Sequence, residues 1–134
     1  MLDERADPAV TTVRRIYEWA GKKFRIRWNR EQNGGFYLAS ECHEQEHSSI
    51  GIRMGFTNAY AEIRFGLLQG IPAFSELSKR VELQRRLKGI PGASIPDRQL
   101  STYPGIPLAP LADERELHKF FEVIDWVFSE LATA

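Results

Sequence analysis

Ile50, Ile52, Met54 and Phe56 alternate with small or polar residues, and after Thr57-Asn58 the alternation resumes as Ala61, Ile63, Phe65 and Leu67. A repeat of two marks strands with one buried face, so Ser48 to Leu68 is expected to form a hairpin. Upstream, Phe24, Ile26 and Trp28 alternate with Arg25, Arg27 and Asn29, and beyond Asn33-Gly34-Gly35 the pattern returns at Phe36 and Leu38. That predicts a second hairpin, joined to the first through the polar CHEQEHSS segment. No apolar crossover of the kind parallel pairing requires separates the four strands, so a meandering antiparallel sheet is expected.

Around the strands the apolar repeat lengthens to that of a helix. Asp7-Pro8 supplies a cap and a first-turn proline to a helix running from about Pro8 to Ala20, with Val10, Val13, Ile16, Tyr17 and Ala20 at helical spacing and Gly21 as its stop. Ser75 can cap a second helix carrying Leu77, Val81, Leu83 and Leu87, closed by Gly89 and Pro91. Arg80 and Gln84 fall inside its apolar arc, which calls for a buried polar contact to the sheet or a half-covered edge. From Gly89 to Leu111, prolines at 91, 96, 104, 107 and 110 rule out helix and favour extended geometry. Ile95, Leu100, Ile106 and Leu108 are expected to pin this arm to the body. Asp113 and Glu116 resemble a capping box, and Leu117, Phe120, Phe121, Ile124, Val127, Phe128 and Leu131 mark a last helix, roughly Asp113 to Ala132, that closes the core. Met1 to Ala6 is expected to fray. The order α-β-β-β-β-α-arm-α gives an α+β fold, a four-stranded antiparallel sheet with helices packed on one face, as a single domain over 1–134.

Composition narrows the functional classes. The 134 residues suit one domain with a self-sufficient core, and 18 basic residues balance 18 acidic ones, leaving only local patches to attract nucleic acid or an acidic membrane. A single Cys42 cannot form an internal disulfide, and no signal-type or membrane-length apolar run is present. The expectation is a reducing cytoplasm, without membrane association or a cofactor.

The principal patch is the outer sheet face. With apolar residues inward, Arg25, Arg27, Tyr37, Glu41, Arg53, Tyr60, Glu62 and Arg64 are displayed together, arginines suiting phosphates and tyrosines suiting bases. Arg14, Arg15, Lys22, Lys23 and Arg30 extend the basic region, whereas Asp113 to Glu130 is acid-rich. The plainer reading is a solvated face in which Glu41 and Glu62 pair with neighbouring arginines.

Catalytic readings rank below binding. His43-Glu44-Gln45-Glu46-His47 spells HExxH, whose zinc chemistry requires a helix to aim both histidines at one metal, yet it falls between strands. His43 and His47 are therefore weak metal candidates. A metal-dependent nuclease would want converging carboxylates and a lysine, whereas Glu62 is followed by Arg64, which cannot release a proton near neutrality.

Trp28 before Gly34-Gly35, Pro72 and Phe74, Leu87 with Ile90-Pro91-Gly92, Pro104 to Leu111, and Asp125-Trp126-Val127 together resemble an uncharacterised bacterial α+β module. The match covers most of the chain and departs by one extra residue between Pro72 and Phe74. Such modules stand alone or are appended to larger, sometimes nuclease-like chains, so the resemblance implies an accessory domain and carries no activity over.

Two binding hypotheses follow. One is a non-catalytic module contacting nucleic acid through Arg25, Arg27, Tyr37, Arg53, Tyr60 and Arg64. The alternative docks a protein through the proline-rich arm and the last helix, at Tyr103, Pro104, Pro107 and Trp126. A metal-dependent hydrolase is the third.

Overall fold

The computed structural model describes residues 8–28, 35–42, 45–54 and 59–133. Five strands, β1 (Arg25–Trp28), β2 (Phe36–Cys42), β3 (Gln45–Met54), β4 (Ala59–Ile63) and β5 (Gly105–Pro107), form one sheet in the order β1-β2-β3-β4-β5. Every neighbouring pair is antiparallel. Helices α1 (Pro8–Gly21), α2 (Phe65–Leu68), α3 (Leu77–Leu87) and α4 (Glu114–Thr133) complete the α+β architecture, with short 3-10 turns at Pro72–Phe74, Asp97–Gln99 and Ala109–Ala112.

The period-two alternation determines which face is core. Register places Ile26 opposite Leu38, Phe36 opposite Ile52, Ile50 opposite Ile63, and Ala61 between Ile52 and Ile106. All of these are buried except Ile26, which is half-buried on the edge strand. At roughly 1.5–3 kcal/mol per large apolar side chain, this inward row and the helices above it supply the main stabilisation. A bulge between Leu38 and Ala39 resets the alternation, and both residues are buried.

α4 carries Leu117, Phe120, Ile124, Val127 and Leu131 into that core. α1 is fastened to it by Trp19 stacked on Phe121, ring centres 4.1 Å apart and planes 8° from parallel. Phe24 meets Phe128 at 4.3 Å. Asp113 caps α4 through Oδ1, which accepts from the amides of Arg115 at 2.9 Å and Glu116 at 3.4 Å. The Glu116 carboxylate instead takes Lys119, so only the Asp113 half of the expected box is seen.

Several expectations are corrected. The sheet has five strands, because Gly105–Pro107 of the proline-rich arm pairs with β4. Pro107 is tolerated because β5 is an edge strand, and the amides of Ile63 and Leu108 extend the ladder to Pro104 O (2.9 Å) and Ala59 O (3.2 Å). The arm also contains 3-10 turns, which need fewer consecutive amide donors than an α-helix. β4 stops at Ile63; Phe65 and Leu68 are buried as neighbours on one side of α2, so the apparent continuation through Phe65 and Leu67 is helical. CHEQEHSS is no plain linker, since β2 reaches Cys42 and pairs it with Gln45 of β3.

Ser75 Oγ donates to Pro72 O at 3.1 Å, whereas the residue capping α3 is Glu76, without a side-chain hydrogen bond. Met1–Ala6, the expected Asp7 cap and the expected turns at Asn33-Gly34 and Thr57-Asn58 lie outside the described residues. The arm is pinned as expected, with Ile95, Leu100, Ile106 and Leu108 all buried. Arg80 and Gln84 supply its polar attachment, and their partners are on the arm and α2 side rather than the sheet. Arg80 Nη1 donates to Leu100 O at 2.9 Å and Gln69 Oε1 at 3.1 Å, and Gln84 Nε2 to Ile95 O at 2.7 Å.

Ile63→Asp is expected to leave the chain unfolded by circular dichroism, because an unpaired charge in this core exceeds what a margin of roughly 5–15 kcal/mol absorbs. A cooperative, native-like thermal melt of that variant would contradict the packing.

Candidate nucleic-acid interface

Helices cover the inner face of the sheet, and the outward positions of β2, β3 and β4 meet in one polar cluster. Glu62 lies between two arginines: its Oε2 is 3.7 Å from Arg53 Nη1 and its Oε1 is 3.3 Å from Arg64 Nε. The three side chains are only 14–21% exposed, so these pairs are better shielded than ordinary surface salt bridges. Arg53 Nη1 also donates to Tyr37 Oη at 3.1 Å, and Arg64 Nη1 to Ser48 O at 2.8 Å.

Aromatic rings set the orientation of Arg64. Its guanidinium carbon is 4.9 Å from the centre of the Tyr37 ring and 5.2 Å from that of Tyr103. Tyr103 comes from the arm, and only the fold brings it to the strand face. Each of three tyrosines leans over a glycine. A Cβ on Gly51 would stand 3.1 Å from the Tyr37 ring, one on Gly105 2.8 Å from Tyr60, and one on Gly66 2.5 Å from Tyr103. Gly51 and Gly105 thus leave room for rings that cover the strand backbone, a cross-strand arrangement that stabilises glycine in sheets, and Gly66 does the same for Tyr103 in the first turn of α2.

Of the positions nominated from sequence, Tyr37, Arg53, Tyr60 and Arg64 come together here. Arg25 and Arg27 stand exposed on β1, opposite Ala39 and Tyr37, and both make further side-chain interactions. The Glu41 side chain lies outside the described ones.

The protein-docking set is divided between two places. Tyr103 and exposed Pro107, which pairs with Tyr60, belong to the outer face, while Pro104 is buried beneath its backbone bond to β4. Trp126 belongs to the helical layer. It is half-buried, edge-on to Phe74 at 5.7 Å, and its ring is capped by the Arg86 guanidinium at 4.3 Å. Sequence spacing gave no sign that Tyr103 would join Arg64; the one available signal was its place just before Gly105, at the entry to β5.

His47 stands in β3 opposite Ser40, so the second half of HExxH is extended rather than helical, and His43 lies outside the described residues. Among the described residues no three His, Cys, Asp or Glu side chains gather to hold a metal ion, and no helix is long and apolar enough to cross a membrane. No known family model, curated protein or solved structure matches the chain.

The Arg64–Tyr103 contact should appear in a double-mutant cycle of Arg64→Ala and Tyr103→Ala as a coupling of about 0.5–1 kcal/mol in urea unfolding. A coupling of zero would reduce it to mere proximity. Chelation with EDTA is expected to leave the melting temperature unchanged, and one tightly held zinc lost in His43→Ala would reverse the reading of the histidine segment.

Proposed function

We propose that this chain is a non-catalytic binding module that takes a single strand of nucleic acid on the uncovered face of its sheet. The observation that carries the reading is the placement of the Arg64 guanidinium between Tyr37 and Tyr103, with Arg53 held alongside through the Tyr37 hydroxyl. Cations that neutralise phosphates and rings that stack on bases then belong to one cluster on an ordered sheet. Tyr60, over Gly105, offers a further ring next to β5. A single strand is favoured over a duplex because paired bases hide the faces on which tyrosines stack.

Glu62 acts in the opposite direction. Set against Arg53 and Arg64, it leaves this trio with a net charge of +1, so binding depends on low salt and on the added charge of Arg25 and Arg27. The same carboxylate keeps two poorly exposed guanidinium groups in place while the face is empty.

Anisotropy titrations with labelled oligo-dT and a duplex of equal length, at about 50 mM salt, test the reading. Arg64→Ala should weaken binding and lower the salt slope by roughly one, while Glu62→Gln should tighten it. Tyr60→Ala should cost roughly 1–3 kcal/mol with oligo-dT and little with duplex. Absence of wild-type binding at that salt, or tightening by Arg64→Ala, would overturn the proposal.

A further inference from the structure

The β1 edge of the sheet borders an open cleft of about 300 Å³ that the sheet-face cluster does not use. Val10, Val13 and Tyr17 of α1 line it together with Trp28 and Phe36 of the sheet, and Arg14 is its charged lining residue among those described. Trp28 is 62% exposed and Tyr17 38%. The chain's other two tryptophans are covered, Trp19 by the stacked ring of Phe121 and Trp126 by Phe74 and the Arg86 guanidinium. We infer that a single strand bound on the sheet face continues across β1 and stacks a base on Trp28 in this cleft, which rests on the binding reading above.

The indole is held in place. Its ring centre is 5.2 Å from that of Tyr17 and 5.6 Å from that of Phe36, and Tyr17 meets Phe36 edge-on at 5.5 Å. Phe36 is buried, so the trio is anchored in the core. A ring fixed by two neighbours yet largely open to water is a stacking platform that a base need not order on arrival. The cleft is at the small end of the roughly 300–1,000 Å³ typical of ligand pockets, which suits one base better than the helix of a partner.

The cleft is continuous with the sheet-face cluster. Alternation along β1 sends Arg27 outward and Trp28 to the opposite face at the same edge. Arg27 is the register partner of Tyr37, whose ring lies against Arg64. Rings and cations therefore follow one another across the sheet as Tyr103, Arg64, Tyr37, Arg27 and Trp28. With strands roughly 4.8 Å apart, β1 is about 14 Å from β4, a span within single-strand sites of roughly 4–16 nucleotides. Because β1 is the first strand of the sheet, a bound backbone can turn round it without crossing another strand.

Charge at this edge suits phosphates. Residues 8–28 and 35–42 carry Arg14, Arg15, Lys22, Lys23, Arg25 and Arg27 against Glu18 and Glu41. Glu114 takes Arg15 and Asp125 takes Lys23, which leaves four cations against two carboxylates. Arg14, Arg25 and Arg27 also interact within the chain, and the excess of positive charge remains for the strand. A second copy fits this edge less well. Antiparallel pairing of two β1 strands keeps both outer faces on one side and sets arginine against arginine, a destabilising arrangement.

The test is a nitrogen-15 NMR titration with oligo-dT of about twelve nucleotides at about 50 mM salt, read at the tryptophan indole N–H signals. Trp28 is identified by the signal missing from Trp28→Phe. Its indole should move together with the amides of 36–38, 51–53 and 60–62, while those of Trp19 and Trp126 stay in place. In anisotropy, Trp28→Leu, which keeps an apolar side chain against Phe36, should weaken binding at least about fivefold. Trp28→Phe, which keeps a ring, should recover most of that loss. Sheet amides that move while the Trp28 indole does not would overturn this inference and leave the sheet-face reading standing, whereas no shift anywhere would overturn both. A Trp28 shift with none on the sheet would make the cleft a separate site and remove the shared strand. Unchanged affinity in Trp28→Leu would also overturn the inference, as would self-association in sedimentation that Trp28→Leu abolishes, which would give the cleft to a second copy.

Discussion

One-sided burial of a sheet with a repeat of two is the constraint on which the rest of this molecule depends. Once Phe36, Leu38, Ile50, Ile52, Ala61, Ile63 and Ile106 face the helices, the residues between them must face away. A slip of one residue would bury Arg53 and Glu62 and expose two isoleucines, so the register is strongly held. The outer face is thus a by-product of the core, and its chemistry is whatever residues occupy the intervening positions. In this chain those are arginines, tyrosines, a glutamate and glycines, and they organise one another.

The way they do so bears on function. Arg53 and Arg64 share the Glu62 carboxylate, and Arg53 adds the Tyr37 phenol while Arg64 adds the Ser48 carbonyl and two rings, which makes them fasteners of the sheet surface as well as charges. Counting basic residues overstates how electropositive such a face is. A better measure is how completely each cation is met, and Glu62 is the residue that sets it.

Long regular periodicity was legible in the sequence: α1, α4, the four-strand meander and the pinned arm all follow from apolar spacing. Short or contextual features were not. β5 has one inward residue, Ile106, and its pairing depends on β4 arriving from far along the chain. α2 shows why brief runs mislead, since Phe65 continues the strand alternation and simultaneously begins the i, i+3 pair with Leu68 that a single helical turn buries. The polar run after Cys42 carried no apolar alternation, so only backbone pairing identifies it as strand. The Tyr37, Arg53, Tyr60 and Arg64 part of the candidate site was readable because alternation assigns faces. Tyr103 was not, because its neighbours are set by tertiary packing.

The same distinction corrects a second impression left by the sequence, that of a molecule with a basic front and an acidic end. Arg15 pairs with Glu114 at 3.3 Å and Lys23 with Asp125 at 3.1 Å, so the two charged segments lie side by side. Pairs this exposed contribute about 0–1 kcal/mol each, and α4 is held instead to α1 by Trp19 on Phe121 and to the turn after α1 by Phe24 on Phe128. Charge there serves orientation, since like charges in its place would oppose the ring stacking. Basic charge drawn into this clasp is subtracted from what α1 could offer a polyanion.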